Sequence, residues 1–151
     1  MRWGMMWAVT VAAMVLAGCG ELGNDNEAKL LAEKQIEASL KDPDSAKFSG
    51  EFVIRSEPDS DGHQDIVTCG YVNAKNSFGG YAGDSRFIVT QSLNKKLQTF
   101  GNIHSIMEDE NPMYRDPHPE PVPGQPATVF EQLYWNKSCV DPSHPPSFTA
   151  G

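Results

Sequence analysis

The sequence has no apolar run long enough to cross a bilayer core. A crossing takes about 20 residues, and the longest run, Trp3 to Leu16, is about fourteen and is interrupted by Gly4 and Thr10. Cations are scarce as well: 12 Lys and Arg stand against 20 Asp and Glu, a formal net charge of −8. Nucleic acid and anionic lipid surfaces need cationic neutralisation, so this balance argues against both as partners. Histidine is sparse and scattered. His63, His104, His118 and His144 fall singly in expected turns and tails, with no His-x-His, His-Glu-x-x-His or Cys/His pairing to hold a catalytic metal. No Ser-His-Asp arrangement assembles around Ser77 or Ser85. Asp59-Ser60-Asp61-Gly62 has the opening of a calcium loop, but Gly70 stands where the closing Glu belongs. Asp42 and Asp44 are better explained as turn residues than as paired catalytic carboxylates. With no catalytic set and no repeat, the expectation is a non-enzyme with neither metal nor cofactor.

What is present begins with an address. Arg2 gives a short cationic start, the apolar run has the length of a secretory signal, and Leu16-Ala17-Gly18-Cys19 follows. That tetrapeptide resembles the lipobox of bacterial lipoproteins. The resemblance implies removal of residues 1–18 and a covalent lipid on Cys19. Each buried methylene contributes about 0.8 kcal/mol, so two or three acyl chains anchor a protein firmly. Gly20 rather than Asp follows the cysteine, which by the logic of that family favours the outer membrane of a Gram-negative envelope. The expected partners begin with the membrane, reached through this lipid.

The remaining cysteines are Cys69 and Cys139. A lone pair in an oxidising compartment is expected to form a disulfide. Closing a loop of roughly 70 residues stabilises a small domain by roughly 4 kcal/mol in the chain-entropy account.

Along the chain, residues 19–26 read as a lipidated, flexible tether and residues 27–139 as one domain. A helix is expected from Asn26 or Glu27, capped by Asp25 or Asn26, with Ala28, Ala32, Ile36 and Leu40 as its stripe and Pro43 as its stop. Phe52 to Arg55, Gln64 to Lys75, Arg86 to Gln91 and Leu97 to Ile103 have strand character. In the second of these, Ile66, Thr68, Gly70 and Val72 share one face, while Val67, Cys69 and Tyr71 share the other. Residues 108–126 carry six prolines and read as an exposed, extended insert. A second helix is expected over Ala127 to Lys137, with Phe130, Leu133 and Tyr134 on one face, and residues 140–151 read as a disordered tail. The fold class is α+β: a three- or four-stranded antiparallel sheet with the N-terminal and C-terminal helices on one face, stapled by the disulfide.

Three pieces together resemble a group of small secreted or lipid-anchored proteobacterial proteins, some of them phage-borne. They are Leu40-Lys41-Asp42-Pro43-Asp44-Ser45-Ala46-Lys47-Phe48; Cys69 through Tyr81 (Cys-Gly-Tyr-Val-Asn-Ala-Lys-Asn-Ser-Phe-Gly-Gly-Tyr); and Trp135 with Cys139. The resemblance spans roughly residues 36–87 and 130–139. It supports the fold and the disulfide and implies no chemistry.

The glycine-rich stretch Asn76 to Gly83 lacks the Gly-Lys-Ser/Thr ending of a phosphate loop, so it reads first as a turn with positive backbone angles at Gly79, Gly80 and Gly83. Its polar and aromatic flanks, Asn73, Lys75, Asn76, Tyr81 and Arg86, exceed what packing requires, and a rigid hairpin carrying them is a candidate binding surface. Between Cys69 and Lys96 the cations Lys75, Arg86, Lys95 and Lys96 face Asp84 alone, which suits an acidic protein or a glycan partner. The leading expectation is an envelope lipoprotein acting as a non-enzymatic binding module. The alternatives are a phage-related exclusion lipoprotein, a lysozyme-type inhibitor, a peptidoglycan-acting enzyme and a passive spacer.

Overall fold

A computed structural model describes residues 23–115 and 124–148. The expected signal segment and residues 19–22 of the expected tether, Cys19 among them, lie outside the described residues. The architecture is α+β, a four-stranded antiparallel sheet in the order β1-β2-β3-β4 with helices packed on it. The strands are β1 (Lys47–Arg55), β2 (His63–Asn73), β3 (Ser85–Asn94) and β4 (Thr99–Met107). β1, β3 and β4 are longer than their apolar alternation suggested, because polar ends such as Lys47 and Asn94 are carried by ladder hydrogen bonds rather than by burial, while β2 stops at Asn73, two residues short of the expected Lys75.

Helix α1 spans Asp25–Glu37 and is capped by Asn24, whose side chain accepts the Glu27 amide at 3.0 Å. The Glu27 carboxylate returns to accept the Gly23 amide at 2.7 Å, so two otherwise orphaned donors are satisfied. The cap lies earlier than expected, and the helix ends well before Pro43. Ser39 explains the early stop: its hydroxyl donates to the Ile36 carbonyl at 2.6 Å while tight turns close through Ser39 and Leu40. The stripe is as expected, with Ala28, Ala32 and Ile36 fully buried. The tether differs from expectation at its last residues. Gly23 is buried with φ +81°, and a Cβ there would lie 2.4 Å from Leu93 Cδ2. Only glycine accepts both the angle and the contact.

The register of β2 sorts the core into two layers. Ile66, Thr68 and Val72 lie on one face with Phe87, Val89, Gln91 and Leu93 of β3, and this face packs under α1. Cys69 and Ile88 lie on the other face, against Phe130, Trp135 and Cys139. Burying side chains of this size stabilises by about 1.5–3 kcal/mol each. The two helices therefore cover opposite faces, where one shared face was expected. A single amphipathic stripe fills each side, and β2 and β3, apolar on both sides, require both covers.

Cys69 and Cys139 form the disulfide, with Cα atoms 5.9 Å apart. It fastens β2 to the C-terminal helical segment, residues 129–138, which contains a π-helical turn at Glu131–Trp135. There the Asn136 amide reaches back to the Glu131 carbonyl. The wider turn rotates the buried face: Phe130, Glu131 and Trp135 point inward, and Leu133, expected inside, is 45% exposed.

Two low-complexity stretches are more ordered than composition suggested. The start of the proline-rich segment forms a 3₁₀ turn, Glu108–Glu110, and a helical turn, Pro112–Arg115. Tyr114 packs edge-on to Tyr134 with ring centroids 5.2 Å apart. The tail, expected to be disordered, is tied down through residue 148. Asn136 holds both backbone groups of Ser147 at 2.8 Å, and the His144 ring stacks on Phe52 at 3.6 Å. The aromatic partner for this tail comes from distant sequence and the amide from the helical segment just before it, and a local composition argument registers neither.

Candidate functional site

The five residues proposed from sequence as one binding surface separate into two environments. Arg86 leaves the group. It sits on β3 facing the C-terminal segment and is 7% exposed. Its Nε and Nη2 donate to the Glu108 carboxylate at 3.0 and 2.6 Å, and Nη1 donates to Glu131 Oε1 at 3.0 Å and to Ser147 Oγ at 3.2 Å. Ser147 donates onward to Glu131 Oε1 at 2.7 Å, and the Ala127 amide donates to Glu131 Oε2 at 2.8 Å. The guanidinium also lies about 5.4 Å from the Phe130 ring centroid. Burial works against the charge on Arg86, but the hydrogen bonds and charge of Glu108, and then of Glu131, outweigh it and hold the guanidinium above its ordinary range. This cluster ties β3, the end of β4, the C-terminal segment and the tail together.

Lys75, Asn76 and Tyr81 do come together, on the hairpin between β2 and β3. Lys75 and Tyr81 pair across it, and the Lys75 amide donates to the Ser45 hydroxyl at 2.8 Å. Ser45 in turn donates to the Asp42 carbonyl at 2.8 Å, so the Asp42–Ser45 turn braces the hairpin base. Asn76 is a turn residue rather than a free contact. Its Oδ1 accepts the amides of Phe78 at 2.9 Å and Gly80 at 3.2 Å, and its own amide donates to the Gly80 carbonyl at 2.9 Å. Gly79 and Gly83 take positive φ, +80° and +101°, as expected, and Gly80 does not. Asn73 ends β2 opposite Lys47, half-buried, with its Oδ1 lacking a hydrogen-bond partner.

The turn that Asn76 fixes carries Phe78 at its tip. That ring is 97% exposed, with none of the described residues covering it. Below it Tyr81 is 44% exposed, with Lys47 Nζ 4.2 Å and Lys75 Nζ 5.9 Å from its ring centroid. Phe78 and Lys47 were absent from the sequence-derived set. The signal for Phe78 was a large apolar residue inside a Ser/Gly/Asn turn, with no apolar neighbour to bury it. Lys47 joins only through β1–β2 pairing. The cationic cluster inferred along the chain also divides: Arg86 is consumed by its carboxylates, and Lys95 and Lys96 lie in the β3–β4 turn at the opposite end of the sheet.

Among the described residues no group of three or more His, Cys, Asp or Glu is placed to hold a metal ion. No family model, no curated protein and no solved structure matches this chain.

Proposed function

We propose that this chain is a lipid-anchored protein of the bacterial envelope that binds a protein partner through the tip of its β2–β3 hairpin and performs no chemistry itself. The observation that carries the reading is Phe78. A fully solvated phenylalanine opposes the hydrophobic effect, and here the Asn76 turn holds it out rather than letting it fold back. A preorganised aromatic tip loses little conformational freedom on docking, and aromatic anchors dominate protein interfaces. Lys47 and Lys75 around Tyr81 favour a partner whose rim is acidic.

The placement of the ends supports the same reading. Gly23, packed under Leu93, lies at the end of the sheet that carries the β3–β4 turn, and Phe78 lies at the other. Cys19 precedes Gly23 by four residues, at most about 14 Å of extended chain. A lipid on Cys19 thus holds one end near the bilayer. The eleven residues of β2, at about 3.3 Å each, carry the tip some 35 Å away. The proposed location is the outer membrane of a Gram-negative cell.

Lysine-reactive crosslinking in cells tests the docking, because Lys47 and Lys75 flank the tip. The expected result is a discrete adduct in the wild type that disappears in Phe78→Ala. An adduct that persists in Phe78→Ala counts against the tip. The anchor is tested separately by Cys19→Ser, which is expected to release the protein from the membrane fraction.

A further inference from the structure

A second feature lies away from the tip, on the sheet face covered by the C-terminal segment. The β1 strand bulges between Ser49 and Phe52, with Gly50 at φ +60°, and the tail passes opposite. Between them opens a cleft of about 250 Å³ lined by Gly50, Phe52, Tyr71, Trp135, Ser143 and His144, among others. We propose that this cleft is a binding subsite for a single neutral sugar ring of an envelope glycan.

Its walls are aromatic and fixed. Tyr71 is 38% exposed, and its ring lies 5.9 Å from that of Trp135 at an angle of 50°. Phe52 meets Trp135 edge-on at 6.2 Å, and the His144 ring stacks on it at 3.6 Å. Cys139 and its disulfide lie beneath, and the Asn136–Ser147 hydrogen-bond pair holds the tail wall in place. The polar group at the rim is equally oriented. Asp141 Oδ1 accepts the amides of Ser143 at 2.7 Å and His144 at 2.8 Å, and lies 2.9 Å from His144 Nδ1. A carboxylate at Nδ1 favours the tautomer with its proton there, which leaves Nε2 as an acceptor. Burial works against the charge on Asp141, but these hydrogen bonds, then the nearby His144, outweigh it and keep the carboxyl below its usual range.

An oriented acceptor, a nearby serine hydroxyl and an aromatic face match a pyranose, which has an apolar face and hydroxyls on its edge. Sites for larger ligands run from about 300 Å³, so this one takes a single ring. The charge points to a neutral sugar. Asp141 is acidic, Arg86 is already held by Glu108 and Glu131, and the chain carries a net charge of −8.

Saturation-transfer NMR on the detergent-solubilised full chain, with tri-N-acetylchitotriose as probe, tests this. Transfer to the sugar ring protons is expected in the wild type. It should fall at least fivefold in both Tyr71→Ala and His144→Ala, and stay unchanged in Phe78→Ala. Because Phe78→Ala removes the proposed docking tip and leaves the cleft intact, the two proposals fail separately. Absence of transfer in the wild type, or equal transfer in all variants, overturns the subsite. So does transfer to N-acetyl-tyrosine amide with the same variant pattern and none to the sugar, which would make the cleft a socket for a protein side chain.

Discussion

Arg86 and Phe78 lie eight positions apart in the chain and have opposite fates. Arg86, a charge, is buried with carboxylates on two sides and aromatic rings beside it; Phe78, a hydrocarbon, stands almost wholly in water. Each reverses the ordinary preference of its residue type. Around Arg86 the reversal is compensated inside the fold, because its donors meet Glu108, Glu131 and Ser147. Around Phe78 no described residue compensates it. A buried exception with its partners present is structural, and a solvated exception held out by a rigid turn is the observation on which the proposed docking tip rests.

The largest expected effect attacks the compensated side. Arg86→Met leaves the carboxylates of Glu108 and Glu131 facing each other and is expected to cost about 3–5 kcal/mol, the range for breaking a buried pair by removing one partner. Chemical denaturation measures it. The triple change Arg86→Met, Glu108→Gln, Glu131→Gln is expected to recover part of the loss, since no unpaired charge then stays buried. Next comes the staple. Cys69→Ala with Cys139→Ala is expected to cost about 2–4 kcal/mol and to loosen the C-terminal segment that supplies Glu131, read as a lower midpoint of unfolding.

A smaller effect separates pH from both regions. Glu51, on β1, is raised to about 7 by partial burial, and then by the charge and hydrogen bond of Glu33 on α1, with Lys29 opposing. A carboxyl whose folded pKa lies above its unfolded value binds more protons in the native state. Its contribution is present below about 4.5 and is lost as pH rises through about 7. Glu51→Gln is therefore expected to gain about 1–2 kcal/mol over the wild type at pH 8, a figure already discounted for the group's exposure, and almost nothing at pH 4. Thermal unfolding at the two pH values checks the sign. The smallest stability effect is expected at the tip, where Phe78→Ala changes unfolding by less than about 0.5 kcal/mol.

Much of the fold was legible because it rests on local periodicity. The Ala28-Ala32-Ile36 stripe and the two-faced alternation from Ile66 to Val72 each name their buried side without knowledge of any partner. The Cys69–Cys139 pairing needed only a count of cysteines and the expectation of an oxidising compartment. The polar cluster was not legible. Arg86, Glu108, Glu131 and Ser147 are spread over some sixty positions, and no spacing rule joins them, so Arg86 looked like a surface cation beside a loop. The π-helical turn had the same effect on the C-terminal face, moving Leu133 outward by a backbone irregularity that a regular helical period does not encode. At the candidate site, Lys75, Asn76 and Tyr81 share one hairpin because they lie close along the chain. Phe78 carries only a local mark in the sequence, an apolar residue isolated in a polar turn, and its exposure in three dimensions is what separates it from a core residue.

The most direct test of the central claim places a photo-reactive amino acid at position 78 and, in a parallel strain, at position 97. Leu97 is the matched control: an apolar side chain, 72% exposed, on the turn at the opposite end of the sheet. The account predicts a discrete protein adduct from position 78 and none of the same mass from position 97. The same adduct from both positions, or none from position 78, would contradict it.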